Sequence, residues 1–445
     1  MKSYPLYKNT GLSWIDEVPQ EWKKVAIKFL ASDKNSIFID GDWIESNDIT
    51  DSDSIRYITT GNVGVGRYIE KGNSFISEET FSKLRCKGVE SGDILISRLN
   101  LPIGRSCIAP NLGQRVVTSV DNVILRSDDA YDRRFLVYLF SNPDYLNNAE
   151  NLARGTTMQR ISRTQLGNIR IFVPESLSEQ KSIADFLDRT LAPVDSLIFE
   201  KQKFISLLKE KRQALISHVV TKGLDADVVM KDSGVEWIGE IPKHWTTSKL
   251  KHVSTCNDEA LAESTDGNFE IEYVDIGSVK SDKGIVKSET LKFSDAPSRA
   301  RRIVRDQDII ISTVRTYLKA IAPIDDPSSN LIVSTGFAVI RPKLVDSRYA
   351  KYFLMSSQFI HEVIVRSTGV GYPAITATNL MNIDLTIPDQ RVQVEISDFL
   401  DQRIHKINSL IDETSKSIEL LKEHRTALIS AAVTGKIDLR KKEVA

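Results

Sequence analysis

The chain has 445 residues, of which 41% are hydrophobic and 27% are charged, a composition that indicates a folded protein of roughly two to four domains and argues against extended disorder. Its 59 Lys and Arg residues against 60 Asp and Glu residues give a formal net charge of −1, so any nucleic-acid site has to be a local basic patch. Three scattered cysteines, Cys86, Cys107 and Cys256, form no C-x-x-C pair, which argues against a disulfide framework and a zinc knuckle.

The first residues, MKSYPLYKNTGLSW, contain no apolar core of a signal peptide. No window of the chain approaches the roughly 18 apolar residues that a membrane span needs. Together with the unpaired cysteines, these features lead us to expect a cytoplasmic protein.

Six short segments occur twice, in the same order, once in each half of the chain. The first pair is separated by 223 positions and the others by 213 to 215, a drift that surface-loop insertions produce. The pairs are GLSWIDEVPQEW (11–22) and GVEWIGEIPKHW (234–245), GDILIS (92–97) and QDIIIS (307–312), LGNIRIFVP (166–174) and LMNIDLTIP (380–388), FLDR (186–189) and FLDQ (399–402), LLKEKRQALIS (207–217) and LLKEHRTALIS (420–430), and VTKGLD (220–225) and VTGKID (433–438). The chain is therefore a duplication of a unit of about 220 residues, far longer than a solenoid repeat of roughly 20–50.

The two copies agree in these frame segments and differ in the loops between them. The segments NLPIGRSC (100–107) and VRTYLKAI (314–321), for example, do not match. A constant frame with different loops indicates that the two halves share one function, carried by the frame, and differ in a second function, carried by the loops. Four tryptophans flank the E-V-P or E-I-P turn at the start of each unit, and we expect them to be structural rather than to stack on bases: Trp14, Trp22, Trp237 and Trp245.

Each unit ends in a segment whose apolar residues alternate in steps of four and three, which is the a/d pattern of a coiled coil. Lys201, Arg212, Thr414 and Arg425 fill the polar places of the two seams. We expect two helices of about 40–45 residues that pack on each other, with packing of each helix on its own domain as the alternative. The apolar seam residues are Leu187, Leu191, Val194, Ile198, Ile205, Leu208, Leu215 and Val219 in the first copy, and Leu400, Ile404, Ile407, Ile411, Ile418, Leu421, Leu428 and Ala432 in the second.

The ends of the first helix carry local signals. Ser176 and Glu179 have the spacing of a capping box, and Gly223 follows the last seam residue as a helix stop. Pro193 lies inside the seam, so we expect it to kink the helix or to divide it in two.

This combination of segments resembles a known family. Each variable region ends in LGNIRIFVP or LMNIDLTIP and is followed by Q-x-x-I-x-D-F-L-D, L-L-K-E-x-R-x-A-L-I-S and V-T-x-[GK]-[LI]-D. The pattern is similar to that of the specificity subunit of type I restriction-modification enzymes, over nearly the full chain.

The resemblance implies an α+β (mixed α/β) fold with an internal pseudo-twofold duplication, in which two long antiparallel helices separate two globular target recognition domains. The predicted domains are a first target recognition domain at residues 1–174, a central helical spacer at 175–231, a second target recognition domain at 232–388, and a C-terminal helical spacer at 389–445.

The resemblance also implies a function. Such a subunit binds double-stranded DNA at a bipartite, asymmetric sequence and is not itself an enzyme. It directs methylation of adenine by two modification subunits and cleavage by restriction subunits. S-adenosylmethionine, ATP and Mg belong to those partners, and we expect no cofactor, metal or catalytic residue in this chain, and no membrane partner.

Residues that could contact DNA were sought in the variable loops, near strand ends. Arg and Gln form bidentate bonds to guanine or adenine edges, Thr and backbone N–H groups bond phosphate, and Gly permits close approach. The candidates are Arg98, Arg105, Arg154, Gly155, Thr156, Thr157, Gln159, Arg160 and Arg163 in the first domain, and Arg299, Arg301, Arg302, Arg315, Lys319, Arg366, Thr368, Gly369, Gly371 and Tyr372 in the second.

Two segments resemble catalytic motifs only weakly. NPDY (142–145) has one proline where an amino-methyltransferase loop has two, and GNVGVG (61–66) has no acidic ribose ligand downstream; we interpret them as a helix break and a turn. Two alternatives to the specificity subunit remain: a recognition subunit whose partner fuses methyltransferase and nuclease, and a non-enzymatic DNA-binding regulator or scaffold.

Overall fold

The structure is a computed structural model of the chain, and it describes residues 3–155, 158–280 and 283–440. Its contacts form two compact units. Unit 1 contains Met1–Lys201 and Lys416–Ala445, and unit 2 contains Gln202–Ser415. This division by packing differs from the four predicted segments, whose boundaries stay a prediction.

The first half of the chain contains eleven strands and five helices in its described residues. The strands are β1 Tyr7–Leu12, β2 Ile15–Pro19, β3 Lys23–Ala26, β4 Ile37–Asp40, β5 Ile55–Ile58, β6 Phe75–Ile76, β7 Ile94–Ser97, β8 Ser106–Ile108, β9 Arg115–Thr118, β10 Asn122–Arg126 and β11 Arg170–Val173. The helices are α1 Glu78–Leu84, α2 Arg133–Leu139, α3 Pro143–Asn151, α4 Arg163–Asn168 and α5 Leu177–Lys222.

The second half follows the same plan. Its strands are β12 Met230–Asp232, β13 Glu240–Pro242, β14 Thr246–Lys249, β15 Ser254–Cys256, β16 Glu270–Val274, β17 Val279–Lys280, β18 Gly284–Ile285, β19 Glu289–Lys292, β20 Ala300–Ile303, β21 Ile309–Ser312, β22 Ile321–Pro323, β23 Leu331–Ser334, β24 Phe337–Pro342 and β25 Asp384–Ile387. Its helices are α6 Leu250–Val253, α7 Ser347–Leu354, α8 Ser357–Val365, α9 Ala377–Met381 and α10 Gln390–Val433.

The sheets of the two units have similar topologies, and the second sheet of unit 2 has one strand more than that of unit 1. In unit 1, an antiparallel sheet has the order β4-β10-β7-β8, and a second sheet has the order β6-β5-β9, in which β5 and β9 are parallel. In unit 2, the corresponding sheets have the orders β15-β24-β21-β22 and β19-β16-β23-β20, in which β16 and β23 are parallel. The predicted mixed α/β class, with a duplicated domain and two long helices, is confirmed.

Strands β7 and β21 lie inside the antiparallel four-stranded sheets β4-β10-β7-β8 and β15-β24-β21-β22. Both have the near-continuous apolar sequence of strands that are buried on both faces. All four residues of β7 (ILIS) and of β21 (IIIS) are buried. Each strand ends where a variable loop begins, so the packed sheet fixes the point from which that loop starts.

An arginine-carboxylate pair occurs at the same place in both units. In unit 1, Arg126 donates two hydrogen bonds of 2.8 Å to the carboxylate of Asp93. In unit 2, Arg341 donates two bonds of 2.8 Å to Asp308. Both aspartates are almost fully buried, and the bidentate geometry satisfies their oxygens. The duplication has therefore kept the frame in its hydrogen bonds as well as in its strand order.

A buried glutamine links each long helix to its own domain. The side chain of Gln180 accepts a hydrogen bond from the backbone N–H of Asp132 and donates to the carbonyl of Pro174. Gln393 does the same with Asp346 and Pro388. The first turn of each helix is thus fixed to the end of the preceding strand.

The long helices show the predicted periodicity in their exposure. Helix α5 runs unbroken through Pro193, so of the two expected effects the division of the helix is wrong, and a kink stays a prediction. Pro193 lies on the exposed side, where a lengthened or missing backbone hydrogen bond is solvated. Between residues 191 and 212, the positions that are not exposed follow the seam spacing: Leu191, Val194, Ile198, Lys201, Ile205, Leu208 and Arg212.

Each unit packs the first part of one long helix with the last part of the other. In unit 1, the seam arginine Arg425 forms an ion pair of 2.8 Å with Asp195. In unit 2, the equivalent Arg212 donates a hydrogen bond of 2.6 Å to the side-chain oxygen of Asn408. The polar seam positions therefore join the helices, and the two copies differ in the charge of the acceptor.

Glycines end both helices and approach the tryptophans of the frame. Gly223 has a φ of +83°, as expected for a helix stop, and a Cβ there would lie 3.3 Å from the ring of Trp245. Gly435 has a φ of +73°, and a Cβ there would overlap Pro19 and approach Trp22. Trp22 and Trp245 are both 1% exposed, which agrees with a structural role.

The start of α5 differs from its prediction at Glu179. This carboxylate accepts hydrogen bonds from the Tyr4 hydroxyl at 2.7 Å and from the Trp22 indole N–H at 2.9 Å, instead of closing a capping box with Ser176. Burial, followed by the bond to Glu179, raises the pKa of Tyr4 well above its usual range. The glutamate therefore anchors the N-terminal segment of unit 1 to the helix.

Candidate DNA interface

Two loops in each unit come together at the ends of the central strands. The strand-end loops are residues 98–105 after β7 and 313–320 after β21. The glycine loops are residues 154–160 and 368–374, which precede α4 and α9. In unit 1 the N–H of Ile161 bonds the carbonyl of Arg98 at 3.0 Å, and in unit 2 the N–H of Ile375 bonds the carbonyl of Thr313 at 2.8 Å. Most of the predicted DNA-contacting residues lie in these loops.

The glycine loops share their closing hydrogen bonds and the conformation of their second residue. Arg154 and Arg160 exchange backbone hydrogen bonds of 3.0 and 2.9 Å, and Thr368 and Ala374 exchange two bonds of 2.9 Å. The second residue is Gly155 with a φ of +107° in one loop and Gly369 with a φ of +104° in the other. This left-handed conformation requires glycine in practice, which explains why both copies carry it. The two predicted glycines are therefore turn residues in equivalent loops.

Arginines and carboxylates surround the glycine loop of unit 1. Arg160 pairs with Asp121 at 2.8 Å, and the side chain of Arg160 is 41% exposed. Arg98 pairs with Asp40 at 3.1 Å, and Arg163 contacts the other oxygen of Asp40 at 3.6 Å. These carboxylates hold the guanidinium groups in fixed positions, which is an arrangement that favours bidentate recognition of a planar acceptor pair.

Arg98 is the buried member of this cluster. It is 5% exposed, and its guanidinium also donates to the carbonyls of Ile161 at 3.2 Å and Val120 at 2.5 Å. Burial lowers the pKa of Arg98, as do the neighbouring Arg160 and Arg163, while Asp40 and Asp121 oppose the shift. Because its donors hold two backbone carbonyls and a carboxylate from three segments, Arg98 supports the site more than it presents a free face to DNA.

Arg105 is enclosed by backbone carbonyls. Its guanidinium donates to Val63 at 2.7 Å, Asn100 at 2.7 Å, Pro102 at 3.0 Å and Thr60 at 2.9 Å, and the residue is 8% exposed. Burial lowers the pKa of Arg105. The geometry gives it the role of fixing the strand-end loop, and its predicted contact with DNA finds no support in this arrangement.

An open cavity of about 800 Å³ lies beside the glycine loop of unit 1. Exposed Arg154 and Gly155 and half-buried Arg160 border it, together with Arg98, the cap residue Ser162 and Gln165. Gln159 is half-buried, and its side-chain oxygen is buried without a hydrogen-bond partner among the described residues. Thr156 and Thr157 lie outside the described residues.

Unit 2 carries different chemistry on the same loops. Arg98, Arg105, Asp121 and Arg160 have Thr313, Ala320, Gly336 and Ala374 in their places. The guanidinium of Arg315 lies over the ring of Tyr372, 5.0 Å from its centroid. The first site is rich in ion pairs, whereas the second combines an aromatic ring with cations. The unit 2 candidates at this site are Arg315, Lys319, Thr368, Gly369, Gly371 and Tyr372.

Four further candidates of unit 2 occupy other positions. Arg366 donates to Glu362 within α8 and to the carbonyl of Asn382, so it ties the end of that helix. Arg301 lies over Phe293, 4.5 Å from its centroid, and Arg302 is half-buried in β20. Arg299 is exposed just before β20. Contact of these four with DNA stays a prediction.

The comparisons with known proteins agree with the geometry of the duplicated loops. The family model described as "Type I restriction modification DNA specificity domain" matches residues 19–203 and again residues 242–420. The chain belongs to this family.

Curated relatives of this specificity family cover most of the chain. The type I restriction enzyme MjaVIII specificity subunit of Methanocaldococcus jannaschii is 25% identical over 302 residues, which are 64% of this chain and 66% of that protein. The StySPI specificity subunit of Salmonella potsdam is 22% identical over 70% of this chain and 67% of its own length. The chain thus spans just under two thirds of the M. jannaschii protein.

A solved structure has the same fold as this member of the specificity family. That solved structure comes from a study of complex assembly and conformational transition of the type I restriction-modification system. It superposes with a TM-score of 0.65 and 16% identity, over 94% of this chain and 99% of that one. The predicted membership of the type I restriction-modification specificity family is confirmed.

The sequence prediction for this specificity protein missed the acidic partners of the first site. Asp40 ends β4 and Asp121 precedes β10, far from the arginines in sequence. No motif marks them, because only the sheet brings them to the glycine loop. Asn100 was missed as well; its φ of +60° matches the +51° of Arg315, which shows that the strand-end loops turn in the same way.

Within residues 3–155, 158–280 and 283–440, no group of three or more His, Cys, Asp or Glu side chains could hold a metal ion. In the same ranges, no helix is long and apolar enough to cross a membrane.

Proposed function

We propose that the chain reads a bipartite, asymmetric DNA sequence, with one half-site read by each unit, and that it thereby directs adenine methylation and cleavage by partner subunits. The observation that carries this proposal is the pair of glycine loops. They share the hydrogen bonds that close the loop and the left-handed glycine at its second position, but one presents Arg154 and Arg160 and the other Thr368 and Tyr372. Because base edges are read by side chains, equal scaffolds with unequal side chains are suited to unequal half-sites.

We further propose that catalysis lies in the partners. Two modification subunits and the restriction subunits would use S-adenosylmethionine, ATP and Mg, and the assembly would work in the cytoplasm. The weak catalytic motifs support this division, because they have structural roles. Asn142 of NPDY caps α3 with Pro143 in the first turn. The GNVG segment begins in a short 3-10 helix, Thr60–Asn62, that Thr59 caps.

An exchange of one recognition domain tests this function. Residues 24–174 would be replaced by the equivalent region of a relative, and genomic methylation would be mapped in hosts with and without the gene. We expect a new first half-site, an unchanged second half-site and an unchanged spacing. Alteration of both half-sites would contradict separate reading, and methylation by the purified chain alone would contradict the assignment of catalysis to partners.

Purification with the neighbouring gene products separates the proposed assembly from its alternatives. We expect the chain to co-purify with a methyltransferase that is a separate polypeptide from the nuclease. A single partner that contains both activities would identify the related system, and the absence of any methyltransferase would favour a regulator.

A further inference from the structure

The glycine loop of unit 2 presents an apolar tip on a rigid base. Val370 is fully exposed and Tyr372 is 70% exposed. The two backbone bonds between Thr368 and Ala374 close the loop, and the bond from Ile375 to Thr313 ties it to the strand end. A loop that is fixed at its base holds these side chains in position without a packing partner.

The cation beside the ring is also exposed. Arg315 lies over one face of Tyr372 and, among the residues that the structure describes, has no carboxylate within ion-pair distance. Because one guanidinium covers only one face and the side chain stays 70% exposed, the opposite face of the ring is available to a ligand. Tyr317 and Leu318 of the strand-end loop are 51% and 44% exposed, and Lys319 follows them.

This surface has two chemical requirements that one ligand class meets. Exposed aromatic surface favours a flat apolar partner, and the cations Arg315 and Lys319 favour an anionic one. A nucleotide supplies a π-face and a phosphate together, and aromatic side chains with adjacent arginine form stacking platforms for bases. Binding of protein apolar surface would not use the cations in this way.

The first unit has a large exposed residue at the same loop position. Met158 lies three residues after Gly155, as Tyr372 lies three residues after Gly369, and it is 59% exposed. Methionine and tyrosine share little in polarity, but both are long apolar side chains that can pack on a base. Both units therefore place a large exposed side chain at this loop position, and the two side chains differ in chemistry.

We propose that Tyr372, backed by Arg315, is a stacking platform for one base of the second half-site, and that this base leaves its normal stack when DNA binds. The proposal rests on the proposed function. Side chains that pack against a base in this way displace it from its neighbours. The free-energy cost of this unstacking is lowest at base steps that unstack easily. Tyr372 would then favour flexible steps at that position, beyond any hydrogen bond to a base edge.

The test measures DNA affinity for the full chain in complex with its methyltransferase partner, and it combines protein variants with base removal in the DNA. Duplexes would carry the natural target or an abasic nucleotide at each position of the second half-site in turn. We expect Tyr372→Ala to weaken binding of the natural target about tenfold to a hundredfold, the scale of one base stacked on an aromatic ring. At one position, base removal should weaken the wild type strongly and add nothing to the loss in Tyr372→Ala.

Three variants make the outcome specific. Tyr372→Phe keeps the ring and should restore most of the affinity. Leu344→Ala removes another exposed apolar side chain of unit 2 and should bind as the wild type does. Met158→Ala should show coupling only to positions of the first half-site.

Each other result overturns the proposal. If Tyr372→Phe weakened binding as much as Tyr372→Ala, the hydroxyl would read a base edge and stacking would be wrong. If base removal and Tyr372→Ala multiplied at every position, the ring would contact no base. Sequence-specific binding that survives in these cases leaves the proposed function intact, whereas its absence in the wild type would remove both.

Discussion

The two candidate DNA sites of this chain share a scaffold and differ in chemistry. The glycine loops agree in their hydrogen bonds and in the φ of Gly155 and Gly369, and the sheets beneath them have similar orders. The side chains diverge at the surface, where Arg160 has Ala374 as its counterpart. Under the proposed function, divergence at such positions would change what is read without altering the frame, because the frame is stabilised elsewhere by buried pairs such as Arg126 with Asp93.

The same comparison shows that divergence can also reach the interior. Arg105 fixes the strand-end loop of unit 1 through backbone carbonyls, whereas the equivalent position of unit 2 is Ala320, which is 1% exposed. The two loops therefore reach similar turns by different means. Variants at the paired positions show which differences concern stability and which concern recognition.

The largest effect is expected for Arg105→Ala. The variant leaves several buried carbonyls without a donor, so the free energy of unfolding of unit 1 should fall by about 3 kcal/mol or more. Urea unfolding followed by tryptophan fluorescence measures this loss. Normal stability with weakened DNA binding would instead make Arg105 a DNA contact, as the sequence first predicted.

The helix-ending glycines should differ in their tolerance of a side chain. Gly435→Ala places a methyl group against Pro19 and forces alanine into a left-handed conformation, so we expect a loss of about 2–4 kcal/mol of unfolding free energy. Gly223→Ala meets Trp245 at 3.3 Å and should lose only about 1–2 kcal/mol. Equal losses in urea unfolding would show that the backbone conformation alone decides the cost.

Arg160→Ala should affect recognition without affecting the fold. The side chain is 41% exposed and its guanidinium is held by Asp121, so its removal should cost about 1–3 kcal/mol of binding free energy at one position of the first half-site. Affinities for all single-base variants of the target measure this discrimination. A uniform loss across sequences would indicate a phosphate contact.

The smallest effect concerns acid stability in unit 2. Hydrogen bonds from Arg305 and Arg341 lower the pKa of Glu259 to about 2, from 4.5. Because the folded pKa is below the unfolded one, this contribution to stability is present above pH 4.5 and is lost as the pH falls towards 2. The difference in unfolding free energy between wild type and Glu259→Gln should therefore shrink over that interval. A difference that does not change with pH would contradict the pairing of Glu259 with these arginines. Arg305→Gln should reduce the pH dependence, because it removes one of the two hydrogen bonds.

Repetition made much of the fold predictable. Matching segments in the two halves predicted two copies of one domain, and the steps of four and three predicted the face of each long helix, since periodicity is a local property of the sequence. The unbroken course of α5 was not predictable, because the effect of Pro193 depends on which side of the helix is solvated. Nor was the role of Glu179, whose local capping signal yields to the buried Tyr4 and Trp22.

The site was predictable in place but less so in role. Strand ends and unequal loops identified the segments that meet, including Arg160 and Tyr372. Sequence could not separate Arg105 from its exposed neighbours, because burial of an arginine depends on carbonyls from distant segments. The carboxylates Asp40 and Asp121 were missed for the same reason.

Unit 1 is built from the two ends of the described chain, and this has a consequence for how the protein folds during synthesis. Its hydrophobic core includes Leu428, Ile429, Ala432 and Val433 from the end of α10, together with Trp22 and Leu187 from the first half. All of Gln202–Ser415, which is unit 2, is translated between those two contributions. At roughly 5–20 residues per second, the ribosome needs about ten to forty seconds for that stretch. The domain whose synthesis starts first is therefore the one that finishes folding last, and its incomplete core is exposed to chaperones in the interval.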